Sequence, residues 1–220
     1  MFQGFTGESF GFFMLIRLNN NKAFFEENKA QYERSLKKPL YDLAADVAPT
    51  LASIDPSIDT RPVRAVARIR RSTRYTRDKS PYRDHLWIGW RDRDRQDEVG
   101  NAFGFYFDMN FTGMNCGAGY YAADPATMRD FRARVEANPA GFERIVDGIE
   151  RAGFTLHGED YKKITAPDTI NEHIRPYYVK KSFYVEMPIE ITDQNTSPYL
   201  VDILIHAFEA LKPLYQFAAV

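Results

Sequence analysis

The spacing of apolar residues in this chain changes from a helical period to strict alternation near residue 63, and this change limits the folds open to it. The clearest alternation places apolar side chains at Phe103, Phe105, Phe107 and Met109. Every second side chain of a strand lies on the same face, so this segment predicts a half-buried β-strand. Equivalent patterns predict strands near residues 63–71, 85–91, 102–110, 114–121 and 183–191, with a shorter candidate at 154–157.

Helical patterns occupy the two ends of the chain and one central insert. Residues 6–54 have helical spacing, with an expected end or kink at Pro49 because proline lacks an amide hydrogen. Helices are also predicted near residues 125–152, as a pair, and near 198–212, each opening with a capping residue followed by proline.

The order of these elements predicts an α+β fold, because the helices are segregated from strands that are close together in sequence. Strands joined by short connections pair antiparallel. We therefore expect an antiparallel sheet of about five or six strands, with helices from both chain ends and the central two-helix insert packed mainly on one face. The 220 residues are expected to form a single domain, 1–220.

The alternation also separates an apolar face of the sheet from a polar one. The polar face collects Arg64, Arg68, Arg70, His85, Trp87, Arg91, Tyr106, Asp108, Asn115, Gly117, Tyr121, Tyr184, Glu186 and Glu190. One interpretation is a polar ligand basin with aromatic walls. The other is a solvated sheet face whose arginines pair across strands with Glu186 and Glu190.

Positive charge is concentrated in residues 61–95, although the whole chain has a formal net charge of -1. This segment holds twelve Lys and Arg against four Asp, so its local charge is +8 and that of the remaining chain is -9. Such asymmetry indicates an anionic partner. Guanidinium groups also form paired hydrogen bonds to phosphate or carboxylate, and hydroxyl-bearing residues of the loop 71–83 suit phosphate oxygens.

These observations predict one set of ligand-binding residues around the basic segment. The set is Arg64, Arg68, Arg70, Arg71, Arg74, Arg77, Asp78, Lys79, Tyr82, Arg83, Trp87, Tyr106, Gly117, Gly119 and Tyr121. The alternative is a structural loop in which Asp78 pairs with a nearby arginine and the tyrosines pack as anchors.

Three functions are consistent with this segment. The leading hypothesis is binding of a small anionic ligand, which includes phosphorylated compounds. A nucleic-acid-binding module is the second, with Trp87, Tyr106 and Tyr121 stacking on bases, although the sequence pI of about 6.4 disfavours it. The third is a protein-interaction domain that docks an acidic partner.

Other chemistries find little support in the sequence. Cys116 is the single cysteine, and none of the four histidines forms a close ligand pair, so no metal site is expected. Residues 117–122 fit a dinucleotide-binding glycine pattern, but they continue a strand where that motif requires a helix, and no cofactor is predicted. Asp78, Asp108 and Glu186 are the carboxylates to inspect for acid–base chemistry. No apolar run approaches the ~20 residues of a membrane span, so a soluble, cytoplasmic protein without a membrane partner is expected.

Several segments together resemble one known family. Phe5-Thr6-Gly7 looks like its N-terminal signature, the segment from Arg71 to Arg83 like its central motif, and residues 116–121 like its glycine-rich strand. On these residues the chain resembles the domain of unknown function 2461 family, over roughly residues 5–215. It departs from the family pattern at Ser72, where aspartate is usual, and at residues 165–168. The resemblance implies a fold and supplies no reaction.

Overall fold

A five-stranded antiparallel sheet organises the fold in the computed structural model, which describes residues 1–72, 77–95 and 100–219. The strands are β1 (His85–Arg91), β2 (Phe103–Asn110), β3 (Met114–Tyr120), β4 (Thr155–His157) and β5 (Tyr184–Ile189). Their spatial order is β1-β2-β3-β5-β4, and each neighbouring pair is antiparallel. The predicted α+β class and antiparallel sheet are therefore confirmed.

The longer helices come from the chain ends and the central insert, as the sequence predicted, and two short helical turns lie elsewhere. They are α1 (Gly7–Leu18), α2 (Lys22–Tyr32), α3 (Lys38–Ile54), α4 (Pro62–Ala65), α5 (Pro125–Ala137), α6 (Pro139–Arg151), α7 (Arg175–Tyr178) and α8 (Leu200–Ala218), with a π-helical turn at Glu33–Lys37. Asp124 and Asn138 cap α5 and α6 by accepting hydrogen bonds from the backbone amides of Thr127 and Gly141. None of the helices in the described ranges is long and apolar enough to cross a membrane.

Two prolines lie inside helices in this fold. Helix α3 continues through Pro49 to Ile54, and α8 continues through Pro213 to residue 218 instead of ending near 212. Both prolines are exposed, and so are Ala45 and Glu209, the residues whose carbonyls each proline leaves without a helical partner. Water can solvate those carbonyls, which removes the main cost of continuing the helix.

The strand predicted at residues 63–71 does not form as a regular strand. Pro62 opens the single helical turn α4, which suits proline because its φ is already helical and its missing amide would be unpaired there. Val66 and Arg70 then make isolated bridges to Ile88 and Tyr82, so the chain follows the outer edge of β1 irregularly. The premise that Arg64, Arg68 and Arg70 share one strand face is therefore wrong.

The helices cover the face of the sheet that the alternation predicted to be apolar. In β2 every odd-numbered residue from 103 to 109 is buried and every even-numbered residue from 104 to 110 is half-buried. Helix α8 packs directly on this face, with Phe208 and Tyr215 about 5 Å from the ring of Phe105 (5.1 and 5.0 Å). The opposite face carries the polar residues of the candidate site.

Candidate functional site

A short paired segment presents the arginines at the edge of the sheet. We call residues 66–72 and 77–83 the basic hairpin; residues 73–76, which include the predicted ligand residue Arg74, lie outside the described residues. Its two sides are joined by backbone hydrogen bonds from Arg71 to Pro81 and from Arg83 to Ile69, each of 2.9 Å. Another 2.9 Å bond joins Ala67 to Trp87, so the hairpin is fastened to β1.

Tyr82 anchors the basic hairpin in the core. Its side chain is 1% exposed and stacks on Phe25, with the ring centroids 4.3 Å apart. Asn20 holds the Tyr82 backbone twice, since its Nδ2 donates to the carbonyl at 2.9 Å and its Oδ1 accepts from the amide at 3.0 Å. The burial of this side chain supports the alternative in which Tyr82 is a structural anchor, and it leaves Tyr82 no surface for a ligand.

Arg71 and Arg83 lie close together in the hairpin, and their two positive charges exceed the single negative charge of the neighbouring Asp78. Arg83 Nη1 donates to the carbonyl of Arg70 at 2.8 Å, and its guanidinium lies 4.9 Å from the ring centroid of Trp87. Burial, and then the charge of Arg71, lower the pKa of Arg83. Arg71 forms an ion pair with Asp78 (3.1 Å), yet its Nε is buried and has no hydrogen-bond partner among the described residues.

Most of the remaining predicted cations are exposed. Arg68, Arg70 and Arg77 project to solvent, and in the described ranges no ion pair joins any of them to an acid. Lys79 is also exposed, and Arg64 lies apart on α4. The alternative in which these arginines pair with Glu186 and Glu190 is not formed among the described residues.

The open face of the sheet carries a row of polar contacts instead of arginine pairs. Tyr106 on β2, Gly117 on β3 and Glu186 on β5 are direct neighbours in register. The hydroxyl of Tyr106 reaches across the glycine and donates to Glu186 Oε2 at 2.9 Å. Burial, followed by the charge of Glu186, raises the pKa of Tyr106.

Asp108 is the second carboxylate of this face. It lies opposite Trp87 on β1 and opposite Asn115 on β3, whose Nδ2 donates to Asp108 Oδ1 at 3.1 Å. Burial raises the pKa of Asp108, and the charge of Glu186 adds to the rise, while the hydrogen bond from Asn115 opposes it. Both carboxylates are thus partly withdrawn from water on one face.

The glycines of β3 leave space that atoms of the adjacent strands occupy. A Cβ at Gly117 would lie 2.8 Å from the Tyr106 hydroxyl and 2.0 Å from the Val185 carbonyl oxygen. At Gly119 it would lie 2.3 Å from the Cβ of Tyr184. Aromatic side chains that fill the space above strand glycines explain both positions without a ligand.

Two histidine–aromatic stacks lie along the open face. His85 stacks on Trp87 and His157 on Tyr184, with centroid distances of 5.7 and 5.1 Å. Tyr121 is 85% exposed just beyond the end of β3. Cys116 points to the opposite, helix-covered side, where burial raises the pKa of its thiol.

Sequence reasoning assigned the residues of this face, except His157, to one polar face of the sheet. Tyr184, His157 and Asn115 were absent from the predicted ligand set, and Asp108 and Glu186 were named only as carboxylates to inspect. The sequence does not show the register between strands, and the contact between Tyr106 and Glu186 depends on the register of two strand pairs. In the described part of the chain, no group of three or more metal-ligating side chains is placed to hold a metal ion.

Comparison with known proteins identifies a family. A family model described as a conserved hypothetical protein (DUF2461) matches residues 8–217. A search of curated proteins finds no match.

Proposed function

The chain belongs to the DUF2461 family, and from the basic hairpin inside the matched region we propose that it binds a small anionic ligand, such as a phosphate ester, at Arg71 and Arg83. One observation carries the proposal: Arg71 Nε is buried near the charge of Arg83, and no described residue supplies it with a hydrogen-bond acceptor. A buried donor without an acceptor costs free energy, and two adjacent cations repel each other. An anion between them would remove both costs.

The chemistry of the pair favours phosphate over a simple halide. Guanidinium groups donate parallel hydrogen bonds that match the oxygens of phosphate and carboxylate. Arg83 is already held by the carbonyls of Arg68 and Arg70, at 3.3 and 2.8 Å, so little side-chain freedom is lost on binding.

The neighbouring face favours a small ligand over a nucleic acid strand. Asp108 and Glu186 lie on the face that Trp87 shares, where a phosphate backbone would meet two carboxylates. A compact anion confined to the hairpin avoids that repulsion. An acidic protein partner would instead meet the exposed Arg68, Arg70 and Arg77, so binding that depends on these three arginines and not on Arg71 and Arg83 would favour it.

Thermal unfolding with inorganic phosphate, ethyl phosphate, acetate and a short oligonucleotide tests the proposal. Ligand at one hundred times its Kd stabilises a protein by about 2.7 kcal/mol. For 220 residues this corresponds to a rise of about 6 °C in Tm. We expect this rise with phosphate compounds, and its loss in Arg71→Met and Arg83→Met.

Arg129→Met is the matched control, because Arg129 is an exposed arginine on α5, away from the hairpin. It should keep the full phosphate effect. The proposal fails if no phosphate compound raises Tm, or if all three variants respond alike. Tighter binding of the oligonucleotide, with a steep salt dependence, would favour nucleic acid instead.

A further inference from the structure

One glycine on the open face, Gly89, has open space above it among the described residues, next to the proposed anion site. We propose that the ligand of the basic hairpin carries a planar ring, which lies on Gly89 and directs a hydrogen-bond acceptor toward Arg91. This inference rests on the proposed anion site and extends it along β1. The ligand class is therefore a phosphate ester of a flat ring that bears an acceptor, a class to which mononucleotides belong.

Four glycines of the strands lie on the open face, and their neighbours explain three of them. At Gly117 and Gly119 an added Cβ would meet aromatic side chains, as described above. At Gly104 it would lie 2.6 Å from the Trp90 carbonyl oxygen. A larger residue at these three positions would therefore collide with other parts of the sheet.

Gly89 has no such explanation in the described part of the chain. Besides its chain neighbours, the only described heavy atom within 4 Å of an added Cβ is Trp87 Cδ1, at 3.8 Å, which is an ordinary contact. Tyr106 is directly opposite, but its side chain lies over Gly117, on the side away from β1. Glycine in a strand interior weakens the sheet, and it often marks a place where a ligand approaches the backbone closely.

The opening above Gly89 favours a flat group. Gly89 is half-buried, with Trp87 before it and Arg91 after it on the same face of β1. A planar ring brings all its atoms within contact distance of a bare backbone at once, whereas a puckered ring brings only some of them. The contact does not need the faces of the Trp87 ring, against which Arg83 and His85 already pack.

Arg91 supplies donors without an acceptor at the far end of this opening. Its Nε is buried, and no described residue accepts a hydrogen bond from its guanidinium or forms an ion pair with it. Its directly opposed residue is Gly104, which offers no polar side chain, and burial lowers the pKa of Arg91. A partly desolvated cation without an acceptor is costly. A ring nitrogen or carbonyl oxygen that binds this guanidinium would reduce that cost.

The three binding groups follow one another along β1. Arg83 packs on Trp87, with its guanidinium 4.9 Å from the ring centroid. Trp87, Gly89 and Arg91 are alternate residues of one strand, so each step between them is about 7 Å. A phosphate at Arg83 and a ring on Gly89 should be separated by about one such step, which a two-carbon linker spans. The acceptor then belongs on the edge of the ring remote from the phosphate.

Calorimetry with matched phosphate esters at mildly basic pH, where a pyridine nitrogen is unprotonated, tests the inference. The probes are 2-phenylethyl, 2-cyclohexylethyl and 2-(4-pyridyl)ethyl phosphate, with ethyl phosphate as the reference without a ring. We expect the phenyl ester to bind about fivefold more tightly than the cyclohexyl ester, because only the flat ring reaches the Gly89 backbone. The pyridyl ester should bind about tenfold more tightly than the phenyl ester, because its nitrogen accepts a hydrogen bond from a charged donor.

Two variants remove the two parts of this site separately. Gly89→Val fills the opening with a residue that suits a strand, so the fold should be at least as stable. It should reduce the preference for the flat ring to below about twofold, with the affinity for ethyl phosphate unchanged. Arg91→Met keeps an apolar stem and should remove only the advantage of the pyridyl ester. Gly113→Val, in the turn before β3 where a Cβ also meets no described atom within 4 Å, is the control and should keep both preferences.

The outcomes separate this inference from the anion site. If the ring esters bind as ethyl phosphate does, or if the pyridyl and phenyl esters bind equally, the inference is refuted and the anion site stands. Survival of the flat-ring preference in Gly89→Val, or of the pyridyl advantage in Arg91→Met, would place the ring elsewhere and also refute it. A large loss of stability in Gly89→Val would show that the space above Gly89 is filled and would remove the premise. If no phosphate compound binds, both proposals fall together.

Discussion

Asn20 should control both the stability of the fold and the position of the basic hairpin. Its side chain makes two hydrogen bonds to the backbone of Tyr82, 62 residues away in sequence. Tyr82 in turn precedes Arg83, whose guanidinium belongs to the proposed anion site. Asn20→Ala removes both bonds and keeps the packing of Tyr82 on Phe25.

The magnitude follows from the two backbone groups left without a partner. Each such group costs about 1–3 kcal/mol when buried, and partial access to water places these at the lower end. We therefore expect a loss of about 2–4 kcal/mol in the free energy of unfolding. Unfolding entropy is about 2.1 cal/mol/K per residue, so for 220 residues Tm should fall by about 4–9 °C.

Thermal and urea unfolding of the variant measure this loss, and phosphate titration measures its effect on binding. Asn19→Ala is the control, because Asn19 makes one exposed side-chain bond to the Leu15 carbonyl at 3.2 Å. It should change stability by less than about 0.5–1 kcal/mol. A loss in Asn20→Ala no larger than this would refute the reasoning, and unchanged phosphate affinity would show that the hairpin does not need this anchor.

Three further changes test other contacts of the fold. Gly119→Ala should lower Tm by several degrees, because the added Cβ meets the Tyr184 backbone Cα at 2.4 Å and overpacking costs about 1–3 kcal/mol. His173→Gln should destabilise the protein more at pH 5.5 than at pH 9, because the hydrogen bond to Glu150 raises the folded pKa of His173 above 6.5 and its stabilisation is lost as pH rises through that value. Asp108→Asn should be more stable than the unmodified protein at pH 8, because burial raises the folded pKa of Asp108 above 3.8 and its ionisation opposes folding.

Each of these measurements has a direct control. Gly148→Ala places a Cβ where no heavy atom lies within 4 Å, on helix α6, so it should leave stability unchanged or raise it. A pH-independent effect of His173→Gln would contradict the contact between protonated His173 and Glu150. The advantage of Asp108→Asn should vanish as pH falls below about 4, and a constant difference across pH would contradict the burial argument.

The alternation of apolar and polar residues was sufficient to predict the central strands of the sheet, because burial alternates residue by residue along them. The odd-numbered side chains of β2 all reach the core, as their spacing predicted. The strand prediction for residues 63–71 was wrong because Pro62 suits the first turn of a helix, and this preference outweighs the weak alternation of apolar residues after it. Helix α3 continues through Pro49, because the exposure of the carbonyl that this proline leaves free cannot be read from sequence spacing alone.

The candidate site was harder to predict because its contacts join distant segments. Charge density located the basic hairpin, since that signal depends only on composition within a short stretch. The pairing of Tyr106 with Glu186 depends on β5 lying beside β3, and no local rule fixes that order. Glycine in β3 indicated close approach, but only the register shows that Tyr184 approaches Gly119.

The irregular edge beside β1 also bears on how copies of the molecule behave at high concentration. Long, flat edge strands can pair with a second chain and start aggregation. Here one border of the sheet is β4, only three residues long, and the other is covered by the hairpin through the isolated bridge of Val66 to Ile88 and the backbone hydrogen bond from Ala67 to Trp87. Arg68 and Arg70 add like charge along that covered border. We therefore expect these exposed cations to keep neighbouring sheets apart, so that crowding does not lead to edge-to-edge association.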